Sequence, residues 1–109
     1  MKPLTDICPD PKTLLELEPE KLGHHVLGCL SDINDRNIER AIIAKTLSSN
    51  YHQSFCGQVA QAVNGAVDGL IAQCLLGVPP YDQNLIFLTR RGKKEADAYA
   101  ANHDVDIAR

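Results

Sequence analysis

Hydrophobic residues recur three or four positions apart through the middle of the chain, as expected of helices that bury one face. The first such helix is predicted to begin at Glu18-Pro19-Glu20, because proline and acidic side chains suit a first helical turn, and to end at Asn34-Asp35. Gly23 and Gly28 weaken it intrinsically, so we expect close packing against another helix to hold it. Its apolar stripe consists of Leu22, Val26, Leu30 and Ile33.

The same spacing predicts two more helices, one from Asn37 to Leu47 and one from Ser54 to Val67. The turn-forming run Ser48-Ser49-Asn50 separates them. Gly69 stands where a C-terminal cap belongs, since glycine tolerates a positive φ. The apolar faces consist of Ile38, Ile42, Ile43 and Leu47 in one helix, and of Phe55, Val59, Ala62, Val63, Ala66 and Val67 in the other.

After the third predicted helix the pattern changes to that of a hairpin. Leu70 to Leu76 is a short apolar run that predicts a strand, and the proline-containing stretch from Gly77 to Asn84 predicts a loop. Leu85 to Leu88 predicts the returning strand. Thr89 can then cap a final helix that continues to Ala100.

The length of 109 residues fits one domain. We predict an N-terminal arm over residues 1–18, extended at its proline-rich start, a folded domain over residues 19–101 and a flexible tail over residues 102–109. No apolar run approaches the roughly 20 residues of a membrane span. The N-terminus also lacks the apolar region of a signal peptide. The sequence therefore predicts a cytoplasmic protein that does not enter a membrane.

Two short motifs flank the predicted hairpin, Asp68-Gly69-Leu70-Ile71 and Phe87-Leu88-Thr89-Arg90-Arg91-Gly92. Together they resemble the winged helix-turn-helix superfamily, in particular bacterial regulators similar to the antibiotic-resistance repressors and the PadR group. The resemblance covers residues 54–100. It implies an α+β fold: a small winged helix, in which a three-helix bundle carries a two-stranded wing and a C-terminal helix. Other small α+β domains share this order of helix end, strand and helix start.

The function that the resemblance implies is DNA binding in transcription regulation. In a helix-turn-helix, the second helix enters the major groove and its outer polar side chains meet base edges. The candidate base-reading residues are therefore Gln53, Ser54, Gln58, Gln61 and Asn64. Their helix contains no Lys or Arg, so attraction to phosphates must come from elsewhere. The candidate phosphate-binding residues are Arg90, Arg91, Lys93 and Lys94, with His52 as a minor contributor.

The charge balance keeps a second function open. The net charge is −3 and the pI about 5.7, whereas a DNA-binding domain is usually basic on at least one face. The predicted wing has no basic residue and carries Asp82. The alternative is therefore a winged-helix module for protein interaction or dimerisation that does not bind DNA. DNA binding itself predicts a homodimer, joined through the last helix or the N-terminal arm, because two half-sites raise the affinity of a weakly basic domain.

Histidine and cysteine pairs raise a zinc hypothesis. His25 and Cys29 lie four residues apart, as do His52 and Cys56, so each pair would share a helix face and the two pairs could form a tetrahedral site. The competing interpretation is that the thiols are free and buried, like small apolar side chains. We predict no cofactor.

Catalysis has little support in the sequence. A Gly-rich phosphate loop and a Gly-x-Ser-x-Gly turn are both absent from it. Cys56 and His52 could form a nucleophile pair, but no pattern supplies an orienting third group or an oxyanion site. We therefore expect a protein that is not an enzyme.

Overall fold

Helices and a small antiparallel sheet form an α+β fold, as predicted. The computed structural model describes residues 3–33 and 36–107, with the backbone alone for residues 100–107. Within these ranges the chain forms one turn of 3-10 helix at Leu4–Asp6, five α-helices and three strands. In chain order the helices and strands are α1 (Pro11–Glu16), α2 (Pro19–Cys29), β1 (Ile38–Glu39), α3 (Arg40–Ser48), α4 (Gln53–Ala72), β2 (Leu76–Gly77), β3 (Leu85–Leu88) and α5 (Arg90–Ile107).

Helix α2 packs against both α4 and α5, and α4 packs in addition against α3. The two glycines of α2, Gly23 and Gly28, lie at the contacts with α4 and α5. A Cβ at Gly23 would lie 3.6 Å from the Leu70 side chain of α4, and a Cβ at Gly28 would overlap the Tyr99 ring of α5. The expectation that a neighbouring helix approaches closely is confirmed at Gly28, whereas at Gly23 a Cβ would make only an ordinary van der Waals contact.

Helix α2 ends at Cys29, earlier than the sequence predicts. The backbone leaves the helix at Leu30, with φ −90° and ψ 2°. Leu30 and Ile33 nevertheless remain buried, so the predicted apolar stripe is confirmed past the end of the helix. The predicted stop at Asn34-Asp35 lies outside the described residues.

The three strands form one antiparallel sheet in the order β1-β3-β2. The predicted return strand β3 is confirmed and lies in the centre. The prediction that a helix begins at Asn37 is wrong, because Ile38 and Glu39 pair with the edge of β3 before α3 begins. Two strand residues are too few for periodicity to separate from a helix. The register pairs Ile38 with Ile86, Glu39 with Leu85, Leu76 with Leu88, and Gly77 with Phe87.

The N-terminal segment is folded onto the helices, so the prediction of an extended arm is wrong. Asp10 caps α1 by accepting hydrogen bonds from the Lys12 amide at 3.1 Å and the Thr13 hydroxyl at 2.9 Å. Leu4 and Leu14 are fully buried in the common core. Prolines indicate where a helix is interrupted, but they do not indicate which residues the flanking leucines contact. The proline pattern alone therefore predicted an extended arm.

Tyr51 ties this segment to the rest of the molecule. Its side chain lies in the turn between α3 and α4 and is only 6 % exposed. Its hydroxyl donates a hydrogen bond of 2.5 Å to the Cys8 carbonyl. The N-terminal segment and the α3–α4 turn therefore share one buried polar contact.

Helix α4 continues through Gly69, where the sequence predicts a cap, and absorbs the start of the predicted strand at Leu70–Leu76. Both predictions are wrong at this point. Val67 and Leu70 are at most 2 % exposed, and their burial against neighbouring helices keeps the chain helical. Only the last residue of the predicted strand, Leu76, pairs with β3.

The true end of α4 is a Schellman motif. The Leu75 amide bonds to the Leu70 carbonyl and the Cys74 amide to the Ile71 carbonyl, both at 3.0 Å. Leu70 and Leu75 are both buried, which supplies the apolar contact usual in this motif. Cys74 occupies the left-handed position, with φ 63°. Glycine is the usual residue there because it has no Cβ to strain.

Replacing Cys74 with glycine is expected to stabilise the protein by about 1 kcal/mol, since the left-handed strain of a side-chain-bearing residue is removed. Chemical denaturation measures the change. Cys74→Ala is the matched control, because it removes the thiol but keeps the strain. Equal stability of the glycine and alanine variants would contradict this account of the helix end.

A tight junction joins the end of α4 to the start of α5. Thr89 is the predicted cap: its Oγ1 accepts from the Gly92 amide at 2.9 Å, and its hydroxyl donates to the Cys74 carbonyl at 2.7 Å. A Cβ at Gly92 would overlap the Leu75 carbonyl oxygen and lie 2.8 Å from the carbonyl carbon. Glycine is needed here because two backbones touch, not because of its φ, since no described glycine has a positive φ.

Helix α5 continues to Ile107, which differs from the flexible tail predicted to begin at residue 102. It packs on α2 and β3, and Ala96 is fully buried in that contact. Among the described residues, no helix combines the length and apolarity that crossing a membrane requires.

Candidate nucleic-acid interface

The outward face of α4 carries the side chains predicted to read bases. All of them are exposed: Gln53, Ser54, Gln58, Gln61 and Asn64. Residues three or four apart share a helix face, so Ser54, Gln58 and Gln61 form one row, called here the amide row. These three side chains point away from the core that α4 builds with α2 and α3.

His52 fixes the start of the amide row. It is the N-cap of α4, and its Nδ1 accepts a hydrogen bond of 3.2 Å from the Ser54 amide. The Ser54 hydroxyl lies 2.8 Å from the same nitrogen. His52 therefore has a defined structural role as a cap, in addition to its predicted minor role at phosphates.

Asn64 is engaged by an arginine from α3. Arg40 Nε donates to Asn64 Oδ1 at 3.1 Å, and Nη2 donates to the Asn64 carbonyl oxygen at 3.2 Å. The same guanidinium pairs with the Asp68 carboxylate one turn further along α4. The Asn64 side-chain oxygen is thus occupied in the free protein, which limits its use for reading a base.

The sequence gives no sign that Arg40 and Asp68 form an ion pair beside Asn64. They are 28 positions apart, and no local spacing signals the pair. The shallow cleft beside them has a volume of about 340 Å³ and is lined by Glu39, Arg40, Ala41, Asn64 and Asn84. With Asp68 neutralising Arg40 and Glu39 on the rim, this cleft does not attract an anion.

The basic residues of α5 divide into two kinds. Arg90, Arg91 and Lys94 are exposed and make no ion pair within the described part of the chain. Lys93 instead turns inward, donating from Nζ to the Ser31 carbonyl at 2.7 Å and pairing with the Asp97 carboxylate at 3.2 Å. Three of the four predicted phosphate ligands are therefore available, and the fourth is held by its own helix and by the turn that follows α2.

The free basic side chains are called here the basic cluster and lie at one end of α4: Arg90, Arg91 and Lys94. Thr89, next to Arg90, contacts the carbonyls of Cys74 and Leu75 just beyond the last turn of that helix. From Gln58 to Ala72 the helix rises by about 21 Å, at roughly 1.5 Å per residue. The amide row and the basic cluster are therefore separate patches along one helix axis.

The loop between β2 and β3 is held by hydrogen bonds between its own residues. The Asp82 amide bonds to the Pro79 carbonyl at 3.2 Å, and the Asp82 carboxylate accepts from the Asn84 amide at 2.9 Å. Tyr81 is 74 % exposed at the tip, where its hydroxyl accepts a hydrogen bond of 2.6 Å from the Asn37 amide group. This loop presents an aromatic ring and a carboxylate, and no cation.

The structure does not bring the four residues of the zinc hypothesis together into one site within the described part of the chain. His25 bonds through Nδ1 to the Tyr99 hydroxyl, with the two rings edge to face. Cys29 is fully buried. Cys56 Sγ donates to the carbonyls of Ser48 and Tyr51, both at 3.3 Å. Among the described residues, no three His, Cys, Asp or Glu side chains are grouped so that they could hold a metal.

The cysteines are all free thiols. Cys8 and Cys29 are buried, as expected, whereas Cys74 is exposed, contrary to expectation. Burial raises the pKa of Cys8, and it also raises the pKa of Tyr51 and Tyr99. Because the thiolate is the nucleophile, a buried thiol with a raised pKa is unreactive at neutral pH. The His52 nitrogen that bonds to Ser54 is not directed at Cys56, whose sulfur contacts backbone oxygens.

Comparisons of this chain with protein-family models, with curated proteins and with solved structures found no match.

Proposed function

We propose that this chain is a cytoplasmic winged-helix protein that binds double-stranded DNA as a homodimer and regulates transcription. The order of elements carries the proposal: α2, β1, α3, α4, β2 and β3 follow the helix–strand–helix–helix–strand–strand succession of a winged helix. In this assignment α3 and α4 are the helix-turn-helix pair, and the β2–β3 hairpin is the wing. Helix α4 is then the recognition helix.

The amide row supports a base-reading role. A glutamine can bond bidentately to the N6 and N7 edge of adenine, and both Gln58 and Gln61 are exposed and uncommitted to another described side chain. Ser54 at the start of the row suits a base edge or a phosphate. We therefore expect a preference for A·T pairs in the half-site.

The basic cluster supports phosphate contacts beside the recognition helix. The end of α4 beside this cluster lies about 21 Å from Gln58 along the helix axis, which is less than one turn of DNA, roughly 34 Å. The amide row and Arg90, Arg91 and Lys94 can therefore contact one duplex together. Because these are few cations for a chain of net charge −3, a homodimer is needed to reach useful affinity.

Fluorescence anisotropy with duplexes selected from a random library tests the proposal. The double substitution Arg90→Ala/Arg91→Ala is expected to reduce the slope of log affinity against log salt by about 1 for each lost phosphate contact. The control Lys12→Ala/Lys21→Ala removes the same charge from exposed positions on α1 and α2. Equal slopes for the two double variants would refute the phosphate role.

The same assay separates base reading from attraction to the backbone. Gln58→Ala/Gln61→Ala is expected to weaken binding to the selected duplex by about 1–3 kcal/mol per lost contact. Binding to an unrelated duplex, which depends on phosphates, should be unchanged. If the substitutions weaken both duplexes equally, α4 does not read sequence.

A protein-interaction or dimerisation module is the second candidate function. The pairing of Arg40 with Asp68 favours it, because that pair cancels the only cation contacting the outer side of α4 in the described structure. Lys93 is likewise paired with Asp97. This candidate replaces the first if no duplex binds at low salt, where phosphate attraction is strongest.

A further inference from the structure

An apolar groove runs along the side of α4 that faces away from α3. Its floor is formed by α1, by the segment that links α1 to α2, by the start of α2 and by α4. The groove encloses about 410 Å³. The lining residues are Leu14, Leu15, Leu17, Pro19, Leu22, Ala62, Gly65 and Ala66.

The groove extends beyond this floor. A smaller hollow of about 90 Å³ shares Pro19, Gly65 and Ala66 with it and reaches Gly69 and Gln73. From Ala62 to Gln73 the continuous floor is about 16 Å long at the helical rise of 1.5 Å per residue. That length matches about three turns of a second helix.

The part of the groove floor that α4 provides consists of small residues. Ala62, Gly65, Ala66 and Gly69 follow the spacing of a single helix stripe. Added Cβ atoms at Gly65 and Gly69 would meet nothing within 4 Å, so packing inside the chain does not require either glycine. Each weakens an interior helical position by about 1 kcal/mol relative to alanine. Because these side chains are short, another helix can approach α4 to the short end of the usual 8–10 Å range of distances between helix axes.

One rim of the groove is acidic. A shallow polar depression next to the floor shares Leu17 and Glu20 with the groove and adds Glu16, Glu18, Lys21 and His24. The three glutamates are exposed and make no ion pair within the described part of the chain. Positive charge on a ligand would therefore be attracted to this side of the floor.

We propose that the groove binds a basic amphipathic helix of another protein, about three turns long. Its apolar side chains would cover Leu15, Leu17 and Ala62, which are only partly buried. Its lysines or arginines would face Glu16, Glu18 and Glu20. The open glycines would let the two helix backbones approach closely. This is helix-in-groove recognition, with specificity supplied by the acidic rim.

Segments of a second copy fit less well. A two-fold contact through the groove would bring one acidic rim towards the other, since an isologous interface pairs identical patches. The basic start of α5 has no free apolar face to insert, because Ala96 is buried and Tyr99 packs on His25 and Gly28. Charge and shape therefore favour a different protein over self-association.

Titration of the isotope-labelled protein with synthetic helical peptides tests the inference. One peptide carries leucines on one face and lysines on the other over about four turns, and its partner has glutamates in place of the lysines. We expect the lysine peptide to shift the amide signals of Ala62, Gly65, Ala66 and Gly69 and to bind at least tenfold more tightly than the glutamate peptide. Binding should weaken as salt rises. Equal binding of both peptides, or shifts located elsewhere, would overturn the proposal.

Two variants of one helix make the test specific. Gly65→Leu fills the floor and is expected to weaken the lysine peptide at least tenfold, whereas Gly57→Leu, an exposed glycine with equally open surroundings outside the lining, should leave affinity unchanged. Both variants add the same side chain to α4, so a general effect on the helix would appear in both. Sedimentation equilibrium measures the oligomeric state and so tests whether a second copy of the chain fills the groove. A dimer that the Gly65→Leu substitution dissociates would show that it does, and would overturn the proposal.

Discussion

Gly92→Ala is expected to destabilise the protein by about 3 kcal/mol, at the upper end of the usual cost of overpacking. The added methyl group would overlap the Leu75 carbonyl, which is backbone and cannot rotate away. Relief requires moving the start of α5, and with it the 2.9 Å bond from the Gly92 amide to Thr89. For a chain of this size the midpoint of thermal unfolding should fall by at least about 10 °C, which calorimetry measures.

Gly69→Ala is the matched control for this experiment. It makes the same chemical change inside a helix, but a Cβ at Gly69 meets nothing within 4 Å. Alanine is the better helix former, so this variant is expected to gain up to about 1 kcal/mol. Opposite signs for the two glycines would confirm that contact at Gly92, and not helix propensity, decides. Destabilisation of equal size in both variants would contradict the described junction.

Leu14→Ala is expected to cost about 3 kcal/mol, within the usual 2–5 kcal/mol for truncating a buried leucine. Leu14 is fully buried although it lies in the segment that the sequence predicts as an arm. Its loss leaves a cavity between α1 and α4 that the short α1 can only partly close. Denaturant unfolding monitored by circular dichroism gives the change in free energy.

Lys12→Ala is the comparison for Leu14→Ala, because Lys12 lies on the same short helix with an exposed side chain. An exposed substitution of this kind changes stability by about 0.5 kcal/mol or less. If Leu14→Ala were as mild as Lys12→Ala, the N-terminal segment would contribute little to the core. The N-terminal segment would then be the detachable arm that its prolines suggest.

Much of the fold could be predicted because its signals are local. The stripe of Leu22 and Val26, the strand Leu85–Leu88 and the cap at Thr89 each depend on residues within a few positions, and each is confirmed. The glycines of α2 were also informative, since a weak helix must be held by its neighbours.

The errors arise where distant residues decide. Burial of Val67 and Leu70 carries α4 past Gly69, and pairing with β3 converts Ile38 from helix to strand. The cap moves to Cys74, a residue that no propensity rule places in a left-handed position. Tertiary contacts override local preference at each of these positions.

The candidate interface was predictable in composition but not in charge. Exposure of Gln58 and Gln61 follows from the helical pattern and is confirmed. The capture of Asn64 by Arg40, and the inward turn of Lys93 to Ser31, depend on contacts between elements distant in sequence. Which cations remain available to a ligand is therefore a property of the folded chain alone.

The junction at Thr89 and Gly92 has a geometric consequence for any dimer built through α5. Because the two backbones touch there, the direction of α5 relative to α4 is fixed at its first turn. Two copies joined along α5 would therefore hold their α4 helices at one fixed distance from each other. In a dimer that binds DNA as proposed, the junction at Gly92 would therefore set the spacing between operator half-sites.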